Sequence, residues 1–297
     1  MKFKFITTLG IVVFVSTSLL LTTGCGGDKT EENASSLADS TSSAVLKVNN
    51  KIFSIPSPLQ TALLIKNCAV KYKKDLLSNP DKADHYVSNF SKAINLGVFG
   101  TDLGYVTIYD QKQDAFGYMK AAKSLTEGLG ISDVFNSALI ERLNKNFNDK
   151  DSLLSLISDA YGSTNAYLNK NEQNDISGLV LVGGWIESLY LTTEIYAVGQ
   201  NEDLKRRIAE QKTSLDRIVS LLKPYSDKPE YANLTAGLDS LSGVFQNVSF
   251  TNTFVQASTD SKKKLTVVNC KTEINITDEQ IKEISNNIKE IRKKIIE

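Results

Sequence analysis

Two stretches of this chain are too apolar to stand in solvent and too rich in glycine to be helices on their own merits. Ala93–Tyr109 carries Gly97, Gly100 and Gly104, with Asp102 as its only charge. Ile176–Val198 carries Gly178, Gly183 and Gly184 among Trp185, Glu187, Tyr190, Glu194 and Tyr196. A glycine inside a helix costs about 1 kcal/mol relative to alanine, so a helix that keeps several needs a compensating gain. A close approach of two backbones supplies one, and the pattern predicts two central helices crossing near their glycines. Helix packed on helix is the layer that follows. A sharper reading adds a pocket at the crossing. Asp102 and Tyr105 are three residues apart on one helical face. Glu187, Tyr190 and Glu194 share another, with Trp185 at its edge. Aromatic walls with a few acids suit a sugar, a peptide or a cation. Asp102, Tyr105, Trp185, Glu187 and Tyr190 are therefore the candidate ligand-binding residues. The plainer alternative makes the same side chains core packing, and this is the expectation for Trp185.

The remaining elements read mostly as helices. Ser57-Pro58-Leu59-Gln60 combines a capping serine, a proline at the first helical position and a glutamine three residues after the cap. An apolar stripe follows to about Leu77, and Asn79-Pro80 ends it. Further helical regions span about 83–109, 111–129, 133–146, 150–169, 175–198, 202–223 and 231–247, with Asn201 as a cap and Pro224 as a stop. Between about 248 and 270 the spacing changes. Phe250, Phe254, Val255, Leu265, Val267 and Val268 sit among Thr, Ser and Asn, which predicts a small β-hairpin. Thr277-Asp278-Glu279-Gln280 is a capping box. Ile281, Ile284, Ile288, Ile291 and Ile295 then mark a C-terminal helix docked in its own bundle. The expected fold is all-α, a multi-helix bundle with that hairpin excursion. A tetratricopeptide-like α-superhelix is the alternative, although no signature residues recur at a fixed period.

The N-terminus follows a different logic. Met1-Lys2-Phe3-Lys4 is a short positive start, residues 5–21 carry no charge, and the run closes on Leu21-Thr22-Thr23-Gly24-Cys25. Such a start, an apolar run and small residues before a cut are the marks of a secretory leader. The closing residues resemble the lipobox of bacterial lipoprotein signals, with Thr22 where leucine is usual. That resemblance implies cleavage after residue 24 and lipid, palmitate among its chains, on Cys25. Two or three acyl chains anchor a protein stably where one does not. Gly26, in place of the aspartate that retains lipoproteins in the inner membrane, implies the outer membrane. Residues 25–50 are rich in Ser, Gly, Asn, Asp and Glu and are expected to be a lipidated flexible tether. The helical globular domain is expected over 51–297.

Composition limits what the body does. Once Lys2 and Lys4 leave with the leader, 32 basic residues face 34 acidic ones. A near-neutral body has no electrostatic reason to seek nucleic acid. The chain has one histidine, His85, and no G-x-S-x-G elbow, H-E-x-x-H, Walker loop, EF-hand loop or C-x-x-C. The G-x-H-x-x-E motif of imelysin-type proteins fails as well, because Ala83 and Asp84 precede the histidine. No catalytic residue, metal ligand or cofactor is expected. Cys68 lies on an apolar stripe, which favours free thiols at Cys68 and Cys270 over a disulfide between them. The expected function is a non-catalytic adapter, held to the membrane through Cys25 and engaging an envelope protein partner. The alternative is a lipid-tethered binding protein for a small molecule, glycan or peptide.

Overall fold

The computed structural model describes residues 44–48, 51–55, 58–131, 141–142, 145, 149–260 and 265–297. The expected leader, Cys25, the first part of the expected tether and most of the helix expected at 133–146 lie outside the described residues. Strands β1 (Ala44–Val48) and β2 (Lys51–Ile55) come first, followed by α1 (Pro58–Asn67), α2 (Asn89–Ile108), α3 (Lys112–Gly128), α4 (Lys150–Lys170), α5 (Asn174–Gly199), α6 (Glu202–Leu222) and α7 (Pro229–Phe245). Strands β3 (Ser249–Asp260) and β4 (Leu265–Asn275) and helix α8 (Asp278–Ile296) complete the chain. The fold is an all-α multi-helix bundle with a small hairpin excursion. Its helices gather round one central pair and do not stack into a superhelix.

That pair is α2 and α5, and glycine is what lets them meet. A Cβ on Gly97 would stand 2.6 Å from the backbone nitrogen of Gly184 and closer still to the Val180 carbonyl oxygen. A Cβ on Gly183 would lie 2.8 Å from the carbonyl carbon of Ile94. The Thr101 hydroxyl adds a polar stitch to the same seam, donating to the Gly184 carbonyl at 3.2 Å. Helix α5 is long and apolar enough to cross a membrane, with a mean hydropathy of 1.3 over its best window, but that whole window is buried by the other helices. It is the axis of the core.

The helix starts obey their caps. Asn201 accepts from the Asp203 and Leu204 amides at the start of α6, and Ser88 from the Ser91 amide at the start of α2. Thr277 and Gln280 exchange both bonds of the capping box. Five of the six isoleucines of α8, Ile281, Ile284, Ile288, Ile291 and Ile295, are buried, and the helix lies against α5 and α7. An amphipathic stripe has thus found a groove in its own bundle.

Three expectations need correction. The first helix stops at Asn67, not near Leu77, because Ala69 turns left-handed at φ 55° and the chain then crosses α2 in extended form. There the Tyr109 hydroxyl donates to the Val70 carbonyl and the Lys73 amide to the Tyr105 hydroxyl, bonds that a continued helix would forgo. The region expected as helix from 83 begins as a 3₁₀ turn at Pro80–His85, and α2 starts only at Asn89. Finally, β1 falls inside the segment expected to be tether. It pairs antiparallel with β2, Val48 opposite Lys51, so the ordered fold begins before residue 51. The hairpin expected at 248–270 is present, with β3 and β4 paired from Ser249–Asn275 to Asp260–Leu265.

Candidate functional site

The polar centre of the bundle is built by four elements. From α5, Glu187 is fully buried, and it receives Arg292 of α8 in a two-pronged ion pair, Nε to Oε2 at 2.6 Å and Nη2 to Oε1 at 2.8 Å. Nη2 also donates to the Leu76 carbonyl at 3.1 Å, and the guanidinium stacks 4.1 Å from the centre of the Tyr190 ring. Such a fork matches the geometry of a carboxylate, and the aromatic face takes the rest of the cation. Burial works against the Arg292 charge, yet Glu187 outweighs it and the guanidinium is held above its usual range. Burial lifts the Tyr190 phenol to about 12, against the downward pull of Arg292.

Asp102 of α2 is the second carboxylate of this centre and is also fully buried. Its Oδ2 accepts from the Ser78 amide at 3.1 Å and from the Ser78 hydroxyl, while Oδ1 has no hydrogen-bond partner among the described residues. Burial first, and then the negative charge of Glu187, push its carboxyl well above the ordinary aspartate range. The Ser78 bonds and the charge of Arg292 pull it back only in part, and the guanidinium directs its own hydrogen bonds to Glu187 and Leu76.

The five candidate residues do not form one site. Asp102, Glu187 and Tyr190 come together around Arg292. Tyr105 instead packs with Tyr72 and Tyr109, at ring separations of 5.7 and 4.8 Å. Trp185 turns toward α6, where its Nε1 donates to Gln211 Oε1 at 2.9 Å. All five are buried, and the pockets described below are lined by none of them. The core reading holds for Trp185; Glu187 and Tyr190 fasten α5 to α8, while Asp102 and Tyr105 fasten α2 to the segment Lys73–Ser78. Comparison of the chain with known protein families, with curated proteins and with solved structures finds no match. Sequence reasoning missed Arg292 and Ser78. Arg292 follows Ile291 directly and reads as the edge of a solvated face. Ser78 precedes Asn79-Pro80 and reads as loop.

The surface offers two further features. A cleft of about 800 Å³ lies between the start of α2, α7 and the end of α8, with Ile94, Leu234, Ile291 and Ile295 beneath and Glu230, Glu290 and Lys294 among its lining. A smaller one of about 330 Å³ adjoins it, sharing Phe90 and Glu230, where the first turns of α2, α5 and α7 converge. The second feature is the β3–β4 ribbon. Val248, Phe250, Ile274 and Ile276 pack its base on the core, whereas Thr251, Asn252, Thr253, Thr266, Thr272 and Glu273 are exposed. Twelve residues of strand reach about 40 Å, so the ribbon is an arm. Among the described residues β3 and β4 pair only with each other, which leaves both outer edges open.

The chemistry within reach is limited. Among the described residues no three His, Cys, Asp or Glu side chains gather to hold a metal ion. His85 ends the 3₁₀ turn in an exposed position. Cys68 is a half-buried free thiol, and the Cys270 side chain lies outside the described residues.

Proposed function

We propose that the chain is a membrane-tethered, non-catalytic adapter of the bacterial envelope, anchored by lipid on Cys25 and gripping a partner protein through the β3–β4 ribbon. The leader ending in Gly24-Cys25 supports the anchor, and Gly26 supports the outer membrane as its site. The observation that carries the adapter role is the open-edged arm. A two-stranded ribbon is marginal alone, and its unpaired amides and carbonyls are a template for a third strand. The occupant it fits is an extended segment of the partner, added by backbone hydrogen bonds. The exposed threonines and asparagine of the arm keep it soluble until then.

A photo-crosslinking residue at Thr272 in the native host tests this, with one at the exposed Phe116 of α3 as control. A discrete protein adduct at Thr272 and not at Phe116 is expected. Equal labelling at both positions, or none on the arm, would overturn the reading. The second reading, a tethered binding protein for a small molecule, glycan or peptide, draws on the 800 Å³ cleft. This is within the size range of ligand pockets. Adducts at the cleft residue Asn233 in place of Thr272 would favour it.

A further inference from the structure

The short segment Lys73–Ser78, with one 3₁₀ turn at Lys74–Leu76, lies like a strap across the buried acid Asp102. Four side chains from three helices hold it down. Tyr105 accepts from the Lys73 amide, Asp114 pairs with Lys74 at 2.6 Å, the Tyr118 hydroxyl donates to the Ser78 carbonyl at 2.6 Å, and Arg292 donates to the Leu76 carbonyl. Beneath the strap, Ser78 supplies the only hydrogen bonds that reach the Asp102 carboxyl among the described residues.

We infer that the Lys73–Ser78 strap is a proton-controlled lid, shut while Asp102 is a neutral acid and loosened when Asp102 ionises. The charge inventory of the cluster carries this. Facing Asp102 are Glu187 and Tyr190 of α5, Arg292 of α8, Tyr118 of α3, Tyr72 at the head of the strap and Tyr105 of its own helix. Arg292 is the one cation among them, and both nitrogens it brings to Glu187 and Leu76 are already spent. An ionised Asp102 is thus a second buried negative charge whose Oδ1 meets no protein donor among the described residues, which is costly. A neutral Asp102 leaves only an unpaired carbonyl oxygen, and its proton can reverse the bond with the Ser78 hydroxyl. The rest of the cluster is anchored in long helices, so the strap is the element whose departure admits water.

The sign follows from linkage. Asp102 in the shut state titrates above its ordinary value of 3.8, so shutting takes up a proton. Closure is strongest below that ordinary value and is lost as pH rises through the raised one. Asp114 runs the other way. Burial raises its carboxyl, but the bonds from Lys74 and Tyr72 outweigh this and hold it below the usual range, so its contribution is lost as pH falls.

Amide hydrogen exchange of the full chain, read at Ser78 and corrected for intrinsic exchange chemistry, is the test. Ser78 protection should fall by up to about tenfold per pH unit as pH rises above about 4, the limit for one linked proton, while α5 amides stay protected. Asp102→Asn keeps an acceptor for the Ser78 amide and should flatten the profile. Ser78 protection in the natural chain that is level with pH would overturn the inference. So would parallel loss across α5, or the same slope in Asp102→Asn.

Discussion

Gly97→Ala is the most economical assault on the core. The new methyl carbon would stand 2.6 Å from the Gly184 nitrogen and closer to the Val180 oxygen, and both obstacles are backbone. Neither can swing aside as a side chain would, so the helices must separate by on the order of 1 Å to restore van der Waals contact. A gap of that size forfeits a quarter to a half of the dispersion well for each atom pair along the seam, and forced overpacking costs about 1–3 kcal/mol, occasionally more. Two backbone obstacles place Gly97→Ala at the top of that range, about 3 kcal/mol, and alanine returns about 1 kcal/mol of helix propensity, so the expected net loss is about 2 kcal/mol. In a domain this size that lowers the melting temperature by roughly 4–8 °C. Urea and thermal unfolding followed by circular dichroism measure it. Gly243→Ala is the control, since a Cβ there meets nothing within 4 Å, and it should stabilise by about 0.4–1 kcal/mol. Gly97→Ala at or above natural stability would refute the close crossing of α2 and α5.

Arg292→Met should destabilise by about 3–5 kcal/mol, because Glu187 is left buried without its cation. Glu187→Met added to it should recover much of that loss in a double-mutant cycle; simple additivity would mean that the pair does not interact. Trp185→Phe strips Gln211 Oε1 of its buried donor and should cost about 1–3 kcal/mol by urea unfolding. Trp185 is the sole tryptophan, so its burial also has an optical signature: emission should be blue-shifted and resist an ionic quencher until unfolding, and ready quenching in the native state would contradict the packing. Thiol titration of the unreduced native chain should find Cys68 reactive after unfolding, and its absence would mean it had been oxidised.

How much the sequence declared depends on where the information sits. Local signals survived almost intact. The glycines at 97 and 183 announced the crossing because a helix keeps them only where a backbone passes, and the caps at Asn201 and Thr277 placed two helix starts. The long hairpin was visible in the loss of helical spacing. The early hairpin was also writable, since β-branched residues flank Asn49-Asn50 at a two-residue connection, but the Ser- and Asn-rich surroundings masked it. What tertiary contact decides was not legible. The end of the first helix at Asn67 depends on tyrosines roughly 40 residues away, and the apolar stripe beyond it gave the opposite signal. The candidate site was legible only in part for the same reason. Asp102, Glu187 and Tyr190 shared a location, but their partner Arg292 lies more than a hundred residues further on, while a spacing rule cannot show that Trp185 points to another helix.

Tethering is tested most directly by metabolic labelling with a palmitate analogue in the native host, followed by membrane fractionation of the natural chain and Cys25→Ala. The natural chain should take up label, sediment with membranes and be released only by detergent, while Cys25→Ala should remain unlabelled. Equal labelling and equal membrane retention in Cys25→Ala would contradict an anchor on that cysteine.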